Sequence, residues 1–138
     1  MAKITLKGRE IPLLFTMLEL RDMQSEIARL DDLQYILFGR NKDDDHDMSN
    51  YCSPGHLDAV AKAIRIMGNA GLEEAGEAPD LTDKKVLRQL NPSRILEVST
   101  ACLEAISEGM TSEIPPKQAE GPVDVGLQEM EKKKEKEN

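Results

Sequence analysis

The sequence predicts an α-rich α+β fold: an N-terminal β-hairpin packed on a small helical bundle of about four to five helices, with a flexible C-terminal tail. Three observations predict it. Apolar residues alternate on both sides of Gly8, then recur at helical spacing from Leu20 to Met110, and beyond Met110 prolines and a lysine/glutamate run replace that period. With 138 residues, 39% of them apolar, one core is expected. The expected division is a single compact domain over 1–110, with the hairpin at 3–14 and helices from 16 to 110, followed by a mobile charged tail over 111–138.

Ile4-Thr5-Leu6 and Ile11-Pro12-Leu13 flank Lys7-Gly8-Arg9-Glu10, where Gly8 supplies the positive φ of a tight reversal. Pro12 has no N–H for a ladder, so its strand is expected at an edge, and a lone hairpin needs an apolar partner. Thr16-Met17-Leu18-Glu19 fits a capping box, with Phe15 and Leu20 as its hydrophobic staple, so a helix is expected to start there. Leu20, Met23, Ile27 and Leu30 continue it; Asp31 and Asp32 are expected to cap a short second helix through Leu33, Ile36 and Leu37 that Gly39 ends.

After a polar loop, Ser53 and Pro54 are a good N-cap and first helical position. Leu57, Val60, Ala61, Ile64, Met67 and Gly71 mark one face of that helix, and Asp58, Lys62, Arg65 and Asn69 the other. Gly68 and Gly71 each cost about 1 kcal/mol against alanine in a helix interior, so the helix either packs closely there or bends and frays. A short helix near Thr82 to Leu90 is expected next, and Asn91-Pro92 both ends it and opens another. In that last helix Ile95, Val98, Cys102, Ile106 and Met110 form a buried stripe, with Gly109 near its end.

Charge and composition exclude several functions. A net charge of -8 repels phosphate backbones, and there is neither a basic stripe nor a supply of aromatic rings for base stacking, so no nucleic-acid partner is expected. The opening M-A-K-I-T-L-K-G lacks the apolar core of a signal peptide, and no run approaches the roughly 20 apolar residues of a membrane span, so a cytoplasmic, membrane-free protein is expected. Two cysteines make no disulfide framework.

The densest chemistry lies in D-D-D-H-D, Asp43 to Asp47, followed by Cys52 and His56. Counted from Asp43, an EF-hand would place Met48 at its glycine and Pro54 at its closing glutamate, so calcium fails on spacing. Zinc would gather His46, Cys52 and His56 but lacks a second ligand pair, and a solvated loop accounts for the same residues. Cys52 and His56 have no oxyanion-hole motif, orienting group or phosphate-binding glycine loop beside them. No catalytic, cofactor or metal residue is therefore assigned, no cofactor is expected, and the chain is expected not to be an enzyme. Cys102 reads as a small core residue. Met17, Met23, Ile27, Ile64 and Met67 are the candidate partner-binding residues, since soft side chains suit adaptable surfaces, although core filling explains the same methionines.

The segment K-I-T-L-K-G-R-E-I-P-L-L-F-T-M-L-E-L, the later N-A-G-L-E-E-A-G and the lysine-rich end resemble the small tail assembly chaperones of long-tailed bacteriophages, loosely over the whole chain. The resemblance implies a non-enzymatic phage or prophage protein of the host bacterial cytoplasm. Its implied partners are the tape measure protein, whose apolar helices it would keep in solution, and other tail-assembly proteins, with self-association left open. It also implies a longer form made by ribosomal frameshifting, for which Lys132-Lys133-Lys134 is suitably placed; a solvated charge run explains the same lysines. The alternative is an acidic inhibitor, a nucleic-acid mimic or anti-defence protein of phage or host. Interleaving of carboxylates with lysine and arginine argues against mimicry.

Overall fold

The computed structural model describes residues 1–111, so the tail expected over 111–138 lies, from 112 onward, outside the described residues. Strands β1 (Lys3–Leu6) and β2 (Arg9–Pro12) pair antiparallel, with Leu6 opposite Arg9 and Lys3 opposite Pro12. The reversal is Lys7-Gly8 alone, both at positive φ (50° and 78°), the two-residue turn whose twist matches that of the strands. Pro12 ends its strand, and the ladder continues past it through the Leu13 N–H, which donates to the Ala2 carbonyl at 2.9 Å. Ala2, Ile4, Leu6, Ile11 and Leu13 are all buried, so one face of the hairpin is committed to the helices.

Among the described residues five helices follow: α1 (Met17–Glu26), α2 (Leu30–Ile36), α3 (Pro54–Glu74), α4 (Asp83–Gln89) and α5 (Ile95–Thr111), with a 3-10 turn at Pro92–Arg94 leading into α5. The α1 capping box forms as expected. Thr16 Oγ1 accepts from the Leu18 N–H at 3.3 Å, and Glu19 Oε1 reaches back to the Thr16 N–H at 2.8 Å. The α2 start differs from expectation. Asp31 and Asp32 lie in its first turn, where carboxylates suit the helix dipole, while the Leu30 N–H is satisfied by Gln24 Oε1 at 2.8 Å. Ser53 caps α3 through its hydroxyl, Pro54 takes the first helical position, and Thr82 and Asn91 cap the elements that follow them.

The long helix α3 is central, contacting β2, α1, α4 and α5. Its burial therefore extends beyond the expected stripe to Ala59, Ala63, Ile66, Gly68 and Leu72. Its polar residues Lys62, Arg65 and Asn69 are half-buried, and Asn69 exchanges two side-chain hydrogen bonds with the Leu81 backbone. Of the two outcomes expected at Gly68 and Gly71, close packing is the one found. A Cβ on Gly68 would lie 2.8 Å from Leu81 Cδ1 and 3.1 Å from Ile11 Cγ2, and one on Gly71 would overlap the Pro12 carbonyl, 2.6 Å from its carbon. The Leu14 N–H donates to the Met67 carbonyl at 3.0 Å across this contact. On α5, Ile95, Val98, Cys102 and Ile106 are buried, but Met110 is 53% exposed: the stripe ends at Gly109, where the helix meets Phe15.

Replacing Gly71 with alanine forces a methyl group into the Pro12 carbonyl, and overpacking against backbone that cannot turn aside should cost about 3 kcal/mol. Gly55, helical and open to solvent, is the control, where alanine should stabilise by up to about 1 kcal/mol. Urea unfolding of the two variants beside the parent protein measures both.

Candidate functional site

His56 stands in the first turn of α3, one turn ahead of Val60 on the same buried stripe, and is itself buried. Its Nδ1 accepts from the Cys52 N–H at 2.9 Å, so the proton of the neutral ring belongs on Nε2, which donates to the Leu37 carbonyl at 2.9 Å. Ser99 Oγ donates to the same carbonyl at 2.6 Å. The carbonyl of the residue after α2, which has no helical partner, thereby receives a donor from α3 and one from α5. Gly39, at φ 65°, closes the arrangement: a side chain there would lie 2.7 Å from His56 Nδ1 and 2.8 Å from Tyr51 Cα. Cys52 and His56 are thus brought together through the cysteine's amide, and the ring nitrogens are committed to backbone partners.

The Asp43 to Asp47 stretch folds into successive side-chain-capped turns. Asn41 Oδ1 accepts from the Asp43 N–H, Asp44 Oδ1 from the His46 N–H, and Asp47 Oδ1 from the Ser49 N–H, all at 2.9 to 3.0 Å. The Ser49 amide and then the Asn41 side chain hold the Asp47 carboxyl below the usual carboxylate range. Among the described residues, no three His, Cys, Asp or Glu side chains gather as metal ligands.

A groove of about 450 Å³ lies beside this loop, lined on one side by Glu26 at the end of α1 and Ile27 just after it, and on the other by Asp58, Ala59 and Lys62 of α3. Arg40 stands at its edge and has no ion-pair partner among the described residues. Arg65 ties α1 to α4 nearby, bonding Glu26 and also Asp83, the latter at 2.7 Å, while Lys62 reaches Asp83 at 3.4 Å. Burial by itself would raise the Asp83 carboxyl, but Arg65 and Lys62 together outweigh it and hold it below the usual range.

The five candidate partner-binding residues separate into different environments. Met17 is 81% exposed and Ile27 is half-buried. Met23, Ile64 and Met67 have no exposed surface: α1 turns Met23 inward, and the central helix α3 is enclosed at Ile64 and Met67 by its neighbours. Their assignment to partner binding is corrected to core packing. The surface Met17 belongs to includes residues the helical pattern did not single out. Glu108 of α5 accepts the Ala2 N–H at 2.8 Å, and Gly109 abuts Phe15, so exposed Met1, Met17, Leu18 and Met110 all lie where the chain start, the α1 start and the α5 end converge. A second apolar feature, a crevice of about 150 Å³, is lined by Leu57, Val60, Leu87, Leu90 and Ile95, with Cys52 at its rim.

The two thiols should behave differently. Cys52 is exposed, whereas burial pushes the Cys102 thiol up to about 12, so a disulfide reagent should modify one thiol in the folded protein and the second only after unfolding. The Asp83 pair sets an acid dependence. Because its folded value is depressed, its contribution is present above the ordinary carboxylate value of about 4 and is lost as pH falls through the lower folded value. The melting-temperature gap between the parent protein and Asp83→Asn should therefore narrow as pH drops below about 4. Comparison of the chain with protein-family models, with curated proteins and with solved structures finds no match in any of the three.

Proposed function

We propose that the protein is a non-enzymatic phage tail assembly chaperone that binds apolar helical segments of a tape measure protein and keeps them soluble until the tail tube forms around them. The observation that carries this reading is that Met1, Met17, Leu18 and Met110 are all exposed, on segments that meet at the chain start, the α1 start and the α5 end. The Ala2–Glu108 bond and the Phe15–Gly109 contact bring the segments that carry these four residues to one end of the fold, which offers apolar surface to a partner. Unbranched methionine side chains adapt to helices of differing sequence, and covering their apolar surface is favourable without a nucleotide or a chemical step. The likeness of the K-I-T-L-K-G-R-E-I-P-L-L-F-T-M-L-E-L and N-A-G-L-E-E-A-G segments to that family supplies the identity of the partner.

Co-expression with a tape measure protein from the same genome tests the reading: its soluble fraction should rise and the two should co-purify. Met17→Asp combined with Leu18→Asp should abolish co-purification while changing stability by less than about 1 kcal/mol, because both positions are exposed. Met23→Asp is the contrasting control, since a carboxylate in that buried position should unfold the domain. No solubility gain and no co-purification, together with inhibition of a nuclease, would replace this reading with the acidic inhibitor.

A further inference from the structure

We propose that His56 is an acid-released clasp: protonation of its ring frees the 40–53 segment from the body of the protein and opens the groove between α1 and α3. The segment runs from Gly39 to His56 and carries the Asp43 to Asp47 turns. At its base the contacts are few and specific. The Cys52 N–H reaches His56 Nδ1, Ser53 Oγ accepts the His56 N–H at 3.2 Å, and Gly39 packs against the ring and against Tyr51. Cys52 itself holds φ 61°, a backbone conformation unfavourable for a residue with a Cβ, and its bond to the ring fixes it there.

Nε2 already carries the proton it donates to Leu37, so the only place for a second proton is Nδ1. The proton arrives from solvent. It converts the acceptor of the Cys52 N–H into a donor, placing two N–H groups against each other at 2.9 Å in a buried position. One has to leave, and Cys52, exposed and strained, is the freer of the two. Among the described residues no carboxylate is bonded to the ring, whose two nitrogens both meet backbone. The Tyr51 ring lies 5.5 Å away, centroid to centroid, from the loop side, and Ser99 from α5 is neutral. Of the charged residues lining the adjoining groove, Glu26 of α1 is bonded to Arg65, and Asp58 of α3 makes no bond to the ring among the described residues. Arg40 and Lys62 carry the same sign as an imidazolium. Releasing Cys52 removes the strap beside Gly39, Asn50 and Ser53, which line the groove together with His56.

Nuclear magnetic resonance of the full chain, titrated from about pH 7.5 to about pH 5.5, decides the matter. As the ring nitrogens of His56 report protonation, the protection of the Cys52 amide against exchange should fall at least about tenfold, with the Gly39 and Tyr51 amides shifting on the same curve and the hairpin amides unmoved. His46→Asn should leave this response intact. His56→Asn, whose side-chain oxygen can still accept the Cys52 N–H, should hold Cys52 protection flat with pH. Protection that stays flat while the wild-type ring takes up its proton overturns the proposal, as does a ring that stays neutral throughout or a response that follows His46.

Discussion

The backbone at Pro12 and Phe15 lies directly against helices α3 and α5, and the seating of the hairpin on the helices depends on that. Ordinary side chains keep a strand and a helix about 10 Å apart, as stacked layers are. Here Gly68 and Gly71 remove that spacing on α3 and Gly109 removes it on α5, so the strand exit is held between the two longest helices. The Leu14 N–H to Met67 carbonyl bond adds a polar contact that only such proximity allows. A two-stranded hairpin with no further strands to pair has little stability of its own. Glycines that cost helix propensity are therefore placed where they return close packing across two helices.

At its other end α3 is fixed by different means. Its first turn carries a buried imidazole that spans from the Cys52 amide to the Leu37 carbonyl, with Ser99 of α5 completing the junction. A buried polar junction is costly unless all its members are satisfied, and here each ring nitrogen and the hydroxyl has a partner. The helix thus has an apolar, closely packed end and an end held by hydrogen bonds through a buried imidazole. The irregular segment 40–53 emerges from the second end, where its release leaves the core undisturbed.

The local signals in the sequence translated well into elements. Thr16 and Glu19 as a capping box, Ser53-Pro54 as a helix start, and Asn91-Pro92 as a junction depend on neighbours within a turn, and all three are found. What the sequence did not disclose depends on residues far apart. The burial of α3 on almost all sides required knowing that α1, α4, α5 and β2 all pack on it, so the periodic stripe understated its core. Met23, Ile64 and Met67 had the composition of an adaptable surface, but only the placement of α1 against α3 reveals that they face inward. His56 was grouped with Cys52 as a potential site by proximity, whereas its place one turn before Val60 already put it on the buried stripe. Met1, Met17, Leu18 and Met110 lie far apart along the described chain, and their segments meet through the Ala2–Glu108 bond and the Phe15–Gly109 contact, which no helical period links to the N-terminus.

A carrier of apolar helices has to expose apolar surface without adhering to its own copies, and the distribution of charge bears on how this chain would do so. Many of the folded region's carboxylates are balanced locally: Arg9 meets Asp80, Lys42 meets Asp32, Arg65 and Lys62 meet Asp83, and Arg94 meets Glu97. Exposed pairs of this kind add little stability, but they break up the rows of unpaired negative charge that a nucleic-acid mimic requires. The charge left over is still a net -8 on a chain of 138 residues, enough to make copies repel at long range. That repulsion acts equally on every copy, whereas an uncharged helix approaching Met17 and Leu18 does not feel it. Under the proposed reading, selectivity for a foreign apolar helix over a second copy would need no specific contact: the net charge would disfavour self-encounter, and the exposed methionines would favour a partner that brings apolar surface without added negative charge.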